Sequence, residues 1–203
     1  MKKRHIIGLI SIALILLSYT AHSQIKLGMQ LGANFANAKV ANSVFEFESK
    51  THFVGGVLAE FKISNMFYIQ PEINYFPKGP MIYYPLYNEE IDYTFNYIEI
   101  PINVLVKFDV DNFTPFLFAG PSLSSLTKAN VKSNNGKVDI SEGFEKTDFS
   151  MNFGAGAEFI LSNSTDLFIM ARYSLGLTDI SRLGAGEFKN QSIAITAGLK
   201  FSI

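Results

Sequence analysis

The sequence contains no cysteine, no tryptophan and only three histidines among its 203 residues. Without cysteine, neither disulfides nor thiolate metal sites can form. Two of the histidines, His5 and His22, lie in the N-terminal segment discussed next, which leaves His52 as the histidine available to the rest of the chain. The sequence also has no excess of positive charge, since it contains 17 basic and 18 acidic residues. It shows no basic surface suited to nucleic acid. We therefore expect no cofactor and no nucleic-acid partner.

The first 24 residues have the three parts of a secretory signal peptide. Lys2, Lys3 and Arg4 precede an apolar run over residues 6–17, and Ala21-His22-Ser23 supplies small residues for cleavage before Gln24. An uncleaved anchor is the alternative, but polarity alternates from Ile25 onwards. The sequence thus predicts a signal peptide at 1–23 and one domain at 24–203. Removing three of 17 basic residues leaves 14 against 18 acidic residues, a net charge of −4.

The rest of the chain contains eight segments in which apolar and polar residues alternate with a period of two. This period is typical of β-strands, and the segments reach the length that a tilted strand needs to cross a bilayer. Turn residues separate them. The segments are 25–36, 51–63, 66–78, 92–108, 113–127, 147–161, 166–178 and 188–202.

The connections between these segments alternate strictly in length. Short links occur at 64–65, 109–112 and 162–165, whereas the links at 37–50, 79–91, 128–146 and 179–187 are long. Transmembrane barrels have short periplasmic turns and long extracellular loops, while a soluble sandwich has no reason to sort its loops this way. We predict an all-β fold, an eight-stranded antiparallel up-and-down transmembrane β-barrel in the outer membrane, with both termini at the short-turn end.

The apolar faces of the readable strands are continuous and nearly free of charge. In the fourth segment, for example, Ile98, Ile100 and Ile102 oppose Tyr97 and Glu99. Alternation alone also fits a soluble barrel with an apolar interior, but the predicted export and the mixture of glycine and charge on the other face favour apolar faces that point to lipid. The faces of segment 113–127 cannot be assigned.

If apolar faces point to lipid, charged side chains fill the lumen. Isolated buried charges cost several kcal/mol, so these residues should form a structural ion-pair network. We expect Arg172 to lie among Glu158, Glu99 and Glu72, with Glu158 as its neighbour across the hairpin of segments six and seven. Paired carboxylates could instead act as acid and base or bind a cation. The predicted interior network consists of Glu60, Glu72, Glu99, Lys107, Glu158, Arg172 and Lys200.

Other motifs are weak. No P-loop, HExxH or GxSxG pattern occurs, and neither Gly154-Ala155-Gly156 nor Gly184-Ala185-Gly186 precedes a helix that could bind phosphate. A catalytic triad would have to use His52. Residues 134–136 (Asn-Asn-Gly) predict a hairpin tip. The aromatic run at 82–87 either packs over the barrel mouth or contacts a partner or glycan.

Several stretches resemble the PorT-like outer-membrane β-barrel proteins of Bacteroidetes. The most specific is Glu99-Ile100-Pro101 within residues 97–108, which is similar to the family's LEIPLLLKY signature. Residues 28–35, 115–123, 154–159 and 172–180 are similar to other parts of the family. The resemblance implies an eight-stranded outer-membrane barrel, and it raises a role accessory to protein secretion because the founding member is associated with the type IX pathway.

Taken together, these patterns predict a non-enzymatic barrel that acts through its extracellular loops. Its partners would be outer-membrane lipid and other envelope proteins. Two alternatives remain open: a narrow pore for small solutes, which the charged lumen disfavours, and a lipid-modifying enzyme.

Overall fold

The computed structural model describes residues 25–40, 47–84, 89–110, 113–134, 136–182 and 188–203. The predicted signal peptide, residues 1–23, lies outside them. A 3-10 turn spans Ser141–Gly143, and no helix among the described residues has the length and apolar character needed to cross a membrane. The strands are β1 (Ile25–Val40), β2 (Phe47–Glu48), β3 (Lys50–Lys62), β4 (Phe67–Tyr75), β5 (Met81–Tyr84), β6 (Glu89–Lys107), β7 (Thr114–Ser133), β8 (Gly136–Asp139), β9 (Thr147–Ser162), β10 (Thr165–Gly176) and β11 (Phe188–Ser202).

Eight of these strands close into an antiparallel barrel, which confirms the predicted fold. They pair in the order β1, β3, β4, β6, β7, β9, β10 and β11, and β11 returns to β1. Cα partners followed once around the wall from Ile25 lead back to Phe35, ten positions further along β1. With standard strand spacing, this stagger tilts the strands by about 40° from the barrel axis. Such a barrel is just wide enough for side chains to fill it.

The structure confirms the sorting of the connections but corrects three of the long loops. In the first, predicted at 37–50, β1 continues to Val40 against β11 and the short strand β2 pairs with β5. At the short-turn end, β9 and β10 are joined by Asn163 and Ser164 alone. At the other end, the predicted loops 79–91 and 128–146 contain regular structure, because β6 and β7 continue beyond the barrel and pair there with the short strands β5 and β8. Ser133 pairs with Gly136, so the predicted hairpin tip is confirmed.

The outward face of the barrel is apolar around its whole circumference. Ile102 on β6 and Ile195 on β11, for example, expose about half of their surface, while the alternate residues Asn103 and Thr196 are buried. In β7, whose faces the sequence left unassigned, Phe116 and Phe118 point inward and Leu117 and Leu123 outward. Exposed aromatic residues mark both ends of the outer face: Phe67, Phe108, Phe159 and Phe201 near the short turns, and Phe35, Phe53, Tyr75 and Phe149 near the long loops.

Candidate functional site

The Glu72 carboxylate is the centre of a hydrogen-bond cluster inside the barrel. Arg172 on β10 donates through Nη2 to Oε1 at 2.8 Å and to Oε2 at 2.6 Å. Four amide side chains also donate to the two oxygens at 2.8 or 2.9 Å, namely Gln30, Gln70, Asn74 and Asn103. The cluster therefore joins β1, β4, β6 and β10 through one buried anion whose charge and lone pairs are satisfied.

A second group lies towards the long loops, around Lys78. Its Nζ lies 3.0 Å from Glu99 Oε2 and 3.3 Å from Asp148 Oδ2, and both carboxylates are fully buried. Arg172 Nη1, 3.8 Å from Glu99 Oε1, connects this group to the Glu72 cluster. Lys78 was not among the predicted network residues. It has the parity of Glu72 within the predicted segment 66–78, but it lies beyond the end of β4 and its neighbours Pro77 and Gly79 resemble a loop boundary.

A third group fills the lumen near the short turns. Glu158 accepts hydrogen bonds from Lys107 at 2.7 Å and from Lys200 at 2.6 Å, and the same two lysines donate to Glu60. Lys26, which was not in the predicted network, lies 3.7 Å from Glu158 and 2.6 Å from Asp166. All seven predicted network residues are thus buried in the lumen, but they form two separate sets: Glu60, Lys107, Glu158 and Lys200 lie near the short turns, and Glu72, Glu99 and Arg172 lie from the middle towards the long loops.

The predicted pairing of Arg172 with Glu158 was wrong. β9 and β10 are neighbours, as predicted, but Glu158 lies opposite Phe168 and Arg172 lies opposite Gly154. Four residues along a strand separate the two side chains by about 13 Å. Two residues on neighbouring strands of a hairpin need not lie at the same height in the barrel, because the register of the pairing decides which residues lie opposite each other.

Aromatic rings lie against the buried cations. Lys107 Nζ lies 4.3 Å from the centre of the Tyr68 ring, and Lys200 Nζ lies 4.9 Å from that of Phe168. The Arg172 guanidinium lies 5.7 Å from the Phe118 ring. Ring faces attract cations and fill the space beside them, and the Phe168 and Phe118 rings do so without adding polar atoms that need partners.

Apolar side chains fill the lumen between the charged groups. The cluster consists of Leu58, Leu105, Phe116, Phe118, Phe168 and Met170. Its rings lie over glycines on the neighbouring strand: a Cβ on Gly154 would lie 2.3 Å from Phe118, and a Cβ on Gly156 would lie 2.4 Å from Phe116. Gly154 and Gly156, which resembled a phosphate loop only weakly, therefore make room for aromatic rings.

A second apolar cluster closes the barrel mouth under the long loops. Phe95, Tyr97, Ala129 and Ile180 are completely buried there. Phe144, from the third long connection, and Phe188, at the start of β11, pack edge-on against Phe95 with ring centres 4.7 and 5.8 Å away. Both ends of the lumen and its middle are therefore filled.

The cavity found between the charged and apolar groups is small. A space of about 10 Å³ is lined by Gln30, Phe76, Arg172 and Thr196, among others. This is about the least volume that holds one water molecule. The charged side chains of the lumen are paired with one another, and this cavity leaves no room for a solute, so the arrangement closes and stabilises the barrel.

Outside the barrel, the third and fourth long connections form one folded layer. Arg182 donates to the Glu145 carboxylate at 2.9 and 3.1 Å, and Glu145 N donates to Ile180 O at 2.9 Å. The hydrogen bond from Arg182 holds the pKa of Glu145 below its usual range. The backbone N–H groups of Phe188 and Ser181 do the same to the pKa of Asp179. We call this part, residues 136–147 and 177–182, the outer layer.

The outer layer encloses a concave surface of about 510 Å³. Its lining consists of Tyr93, Asp139, Ile140, Ser141, Glu142, Gly143 and Phe144. Ser141 is fixed there, because its backbone N and its Oγ both donate to Asp139 Oδ1, at 2.9 and 2.6 Å. A volume of this size is within the range of ligand-binding sites, and its lining supplies two aromatic rings and two carboxylates.

The remaining sequence candidates do not assemble into a catalytic or metal site within the part of the chain that the structure describes. His52 Nε2 lies 3.4 Å from the carbonyl of Gly79 at the barrel rim. The described residues include no group of three histidine or acidic residues able to hold a metal ion. Residues 184–186, and residues 85–87 of the aromatic run, lie outside the described ranges.

The fold and the sequence both match known outer-membrane proteins. The crystal structure of Neisserial surface protein A is similar with a TM-score of 0.55 and 18% identity, covering 86% of this chain and 96% of that one. The outer membrane protein OprG of Pseudomonas aeruginosa is similar with a TM-score of 0.52 and 10% identity, covering 89% and 95%. No curated protein sequence matches. Residues 18–182 match the family described as outer membrane protein beta-barrel domain, so the chain belongs to this family and is an outer-membrane β-barrel.

Proposed function

We propose that this protein is a non-enzymatic binding protein of the outer membrane that contacts its ligand through the outer layer. The observation that carries the proposal is the contrast between the two candidate locations. The lumen is filled by paired charges and aromatic rings, whereas the outer layer, at the long-loop end of the barrel, has a ligand-sized concave surface.

The outer layer is also held in shape before any ligand arrives. Arg182 N donates to Gly143 O at 3.1 Å, and Ala129 N donates to Ser141 Oγ at 2.8 Å, so the layer is hydrogen-bonded to itself and to β7. A surface that is already ordered loses little conformational entropy on binding. The Tyr93 ring and the carboxylates of Asp139 and Glu142 favour cationic or hydroxyl-bearing groups of an envelope protein or glycan.

The resemblance to PorT-like proteins gives this proposal a narrower form. The motif Glu99-Ile100-Pro101 lies in β6, where Glu99 binds Lys78 and Pro101 lies in the barrel wall. These roles serve the barrel itself. A role accessory to protein secretion would therefore have to use the outer layer, and an envelope component would be its partner.

A photoreactive amino acid at position 142 tests the proposal in intact cells. Glu142 lines the concave surface and is exposed. We expect light to produce a discrete crosslinked species, identifiable by mass spectrometry. The matched control carries the same amino acid at Asn163, in the short turn at the opposite end of the barrel. The absence of a crosslink at position 142, or the same species from both positions, would count against ligand binding by the outer layer.

A further inference from the structure

The buried charges of the lumen balance at one end of the barrel but not at the other. Near the short turns three carboxylates lie among three lysines, so this group is neutral: Glu60, Glu158 and Asp166 with Lys26, Lys107 and Lys200. From Arg172 to the long-loop mouth, which we call the upper lumen, three carboxylates lie among two cations: Glu72, Glu99 and Asp148 with Lys78 and Arg172. Among the buried residues that the structure describes, one negative charge of the upper lumen is therefore without a cation, which is strongly unfavourable away from water.

The two carboxylates that share Lys78 each have a second oxygen that it does not reach. Lys78 Nζ lies 3.0 Å from Glu99 Oε2 and 3.3 Å from Asp148 Oδ2. Asn190 Nδ2 donates to the same Asp148 oxygen at 3.0 Å, whereas Asp148 Oδ1 has no hydrogen-bond partner. Glu99 Oε1 lies 3.8 Å from Arg172 Nη1, which is beyond hydrogen-bond distance. The excess charge is therefore carried by these two buried oxygens.

Small hydroxyl side chains line the barrel wall beside these carboxylates. The strand register places Glu99 opposite Ser124, and Ser124 opposite Asp148. In the next inward row, Ser122 on β7 lies opposite Ser150 on β9. Side chains that lie opposite each other are about 5 Å apart, and successive inward residues of one strand are about 7 Å apart. Oxygens at such separations are too distant to bond to one another directly, but they can share one small ligand.

Buried side-chain atoms without a hydrogen-bond partner are concentrated in the upper lumen. They include Asp148 Oδ1 and Ser150 Oγ on β9, Ser192 Oγ on β11 and Asn34 Oδ1 on β1, in side chains that are at most 4% exposed. Near the short turns, by contrast, every buried lysine and carboxylate that the structure describes is hydrogen-bonded. Carboxylate and amide oxygens can only accept, so the upper lumen is short of positive charge and donors.

We propose that the upper lumen binds one monovalent alkali-metal cation, such as sodium. Its ligands are two carboxylates and two hydroxyls, those of Glu99, Asp148, Ser122 and Ser150. A charge of +1 makes the upper lumen neutral, whereas a divalent cation would leave a buried excess of the opposite sign. These ligands supply only oxygen atoms, which suit such an ion and require no histidine. The aromatic cluster around Phe95 closes the mouth above the site, so the ion is enclosed when the barrel folds.

The test is urea unfolding of the full-length mature barrel in lipid vesicles, with EDTA present to remove divalent cations. Sodium chloride replaces choline chloride stepwise at constant ionic strength, because choline is too large for the site, and potassium chloride is tested in the same way. Since the ion binds the folded barrel alone, the unfolding equilibrium constant should fall about tenfold for each tenfold rise in cation concentration above the dissociation constant. Stability that is independent of both cations up to molar concentration would overturn the proposal. Stability that depends on pH but on neither cation would overturn it too, because a proton would then balance the charge.

Two substitutions test whether the ion occupies this site. Asp148→Asn removes the excess negative charge, and Ser150→Ala removes one hydroxyl ligand. We expect the urea midpoint of Asp148→Asn to be the same with and without sodium, and Ser150→Ala to need about tenfold more sodium for the same stabilisation. Asp166→Asn is the matched control, because it removes a carboxylate from the balanced group near the short turns and should keep the sodium dependence of the parent.

Heat-dependent gel mobility first shows that each variant barrel is folded. Sodium dependence that survives in both Asp148→Asn and Ser150→Ala would contradict the proposal, because the ion would then bind elsewhere. Loss of sodium dependence in Asp166→Asn as well would also contradict it, since the effect would then follow the total charge of the lumen.

Discussion

Replacing Arg172 with alanine removes the guanidinium that neutralises Glu72 in the middle of the barrel. The Arg172 side chain is 3% exposed and that of Glu72 is 0% exposed, so water cannot take over the role of the lost cation. Glu99, whose Oε1 lies 3.8 Å from Arg172 Nη1, also loses part of its compensation. Removing one partner of such a buried pair costs about 3–5 kcal/mol. We therefore expect the free energy of unfolding of Arg172→Ala to fall by about 3–5 kcal/mol.

The assay is reversible urea unfolding in lipid vesicles, followed by far-UV circular dichroism because the chain has no tryptophan. Arg182→Ala is the matched control, since it removes an arginine from an ion pair with Glu145 that is 41% and 45% exposed. Solvent screens such an exposed pair, so its loss should change stability little. The double variant Arg172→Met with Glu72→Gln should unfold at higher urea than Arg172→Ala, because no buried charge is left alone there. A loss of stability in Arg172→Ala no larger than that in Arg182→Ala would refute the central role of Glu72.

Two further predictions concern other parts of the molecule. Gly154→Ala should destabilise the barrel by about 1–3 kcal/mol by overpacking, because its Cβ would lie 2.2 Å from the Ala171 carbonyl oxygen and 2.3 Å from the Phe118 ring. Gly55→Ala, where the nearest atom is 3.1 Å away at the end of the Leu31 side chain, should cost less, and equal losses would contradict the close packing at Gly154. The depressed pKa of Asp179 means that its bonds to the backbone stabilise the outer layer above the unfolded pKa of about 3.9 and are lost as pH falls through the lower folded value. The Phe188 amide signal in NMR should therefore shift in that acidic range in the parent and stay unchanged in Asp179→Asn, and identical titrations of the two proteins would show that this carboxylate is not the cause.

Much of the barrel was predictable because lipid and lumen impose opposite demands on alternate residues. Ile98 and Ile100 had to face lipid once Glu99 was assigned to the lumen, and the alternation of loop lengths fixed which strand ends are periplasmic. The two faces of β7 could not be told apart from the sequence, because its inward face carries Phe116 and Phe118, which are as apolar as the residues on its outward face.

The pairing inside the lumen was only partly predictable for a different reason. The sequence identified which charges point inward, but their partners depend on the stagger of the strands, which brings Arg172 on β10 to Glu72 on β4 across the barrel. Lys78 was missed because Pro77 and Gly79 end the regular alternation there. Its backbone nevertheless continues to pair with Phe95 on β6. The concave surface of the outer layer was not predictable either, since it is formed by long connections that lack a repeating pattern.

Conductance across planar bilayers tests most directly whether the lumen is closed. Purified barrel is inserted into the bilayer, and current is recorded at both polarities, with a known porin to show that insertion and detection work. The paired charges around Glu72 and Glu158 and the aromatic cluster at the mouth predict insertion without steady channel openings. Steady, voltage-independent openings from the parent protein would contradict a filled lumen and would favour a pore over a binding protein.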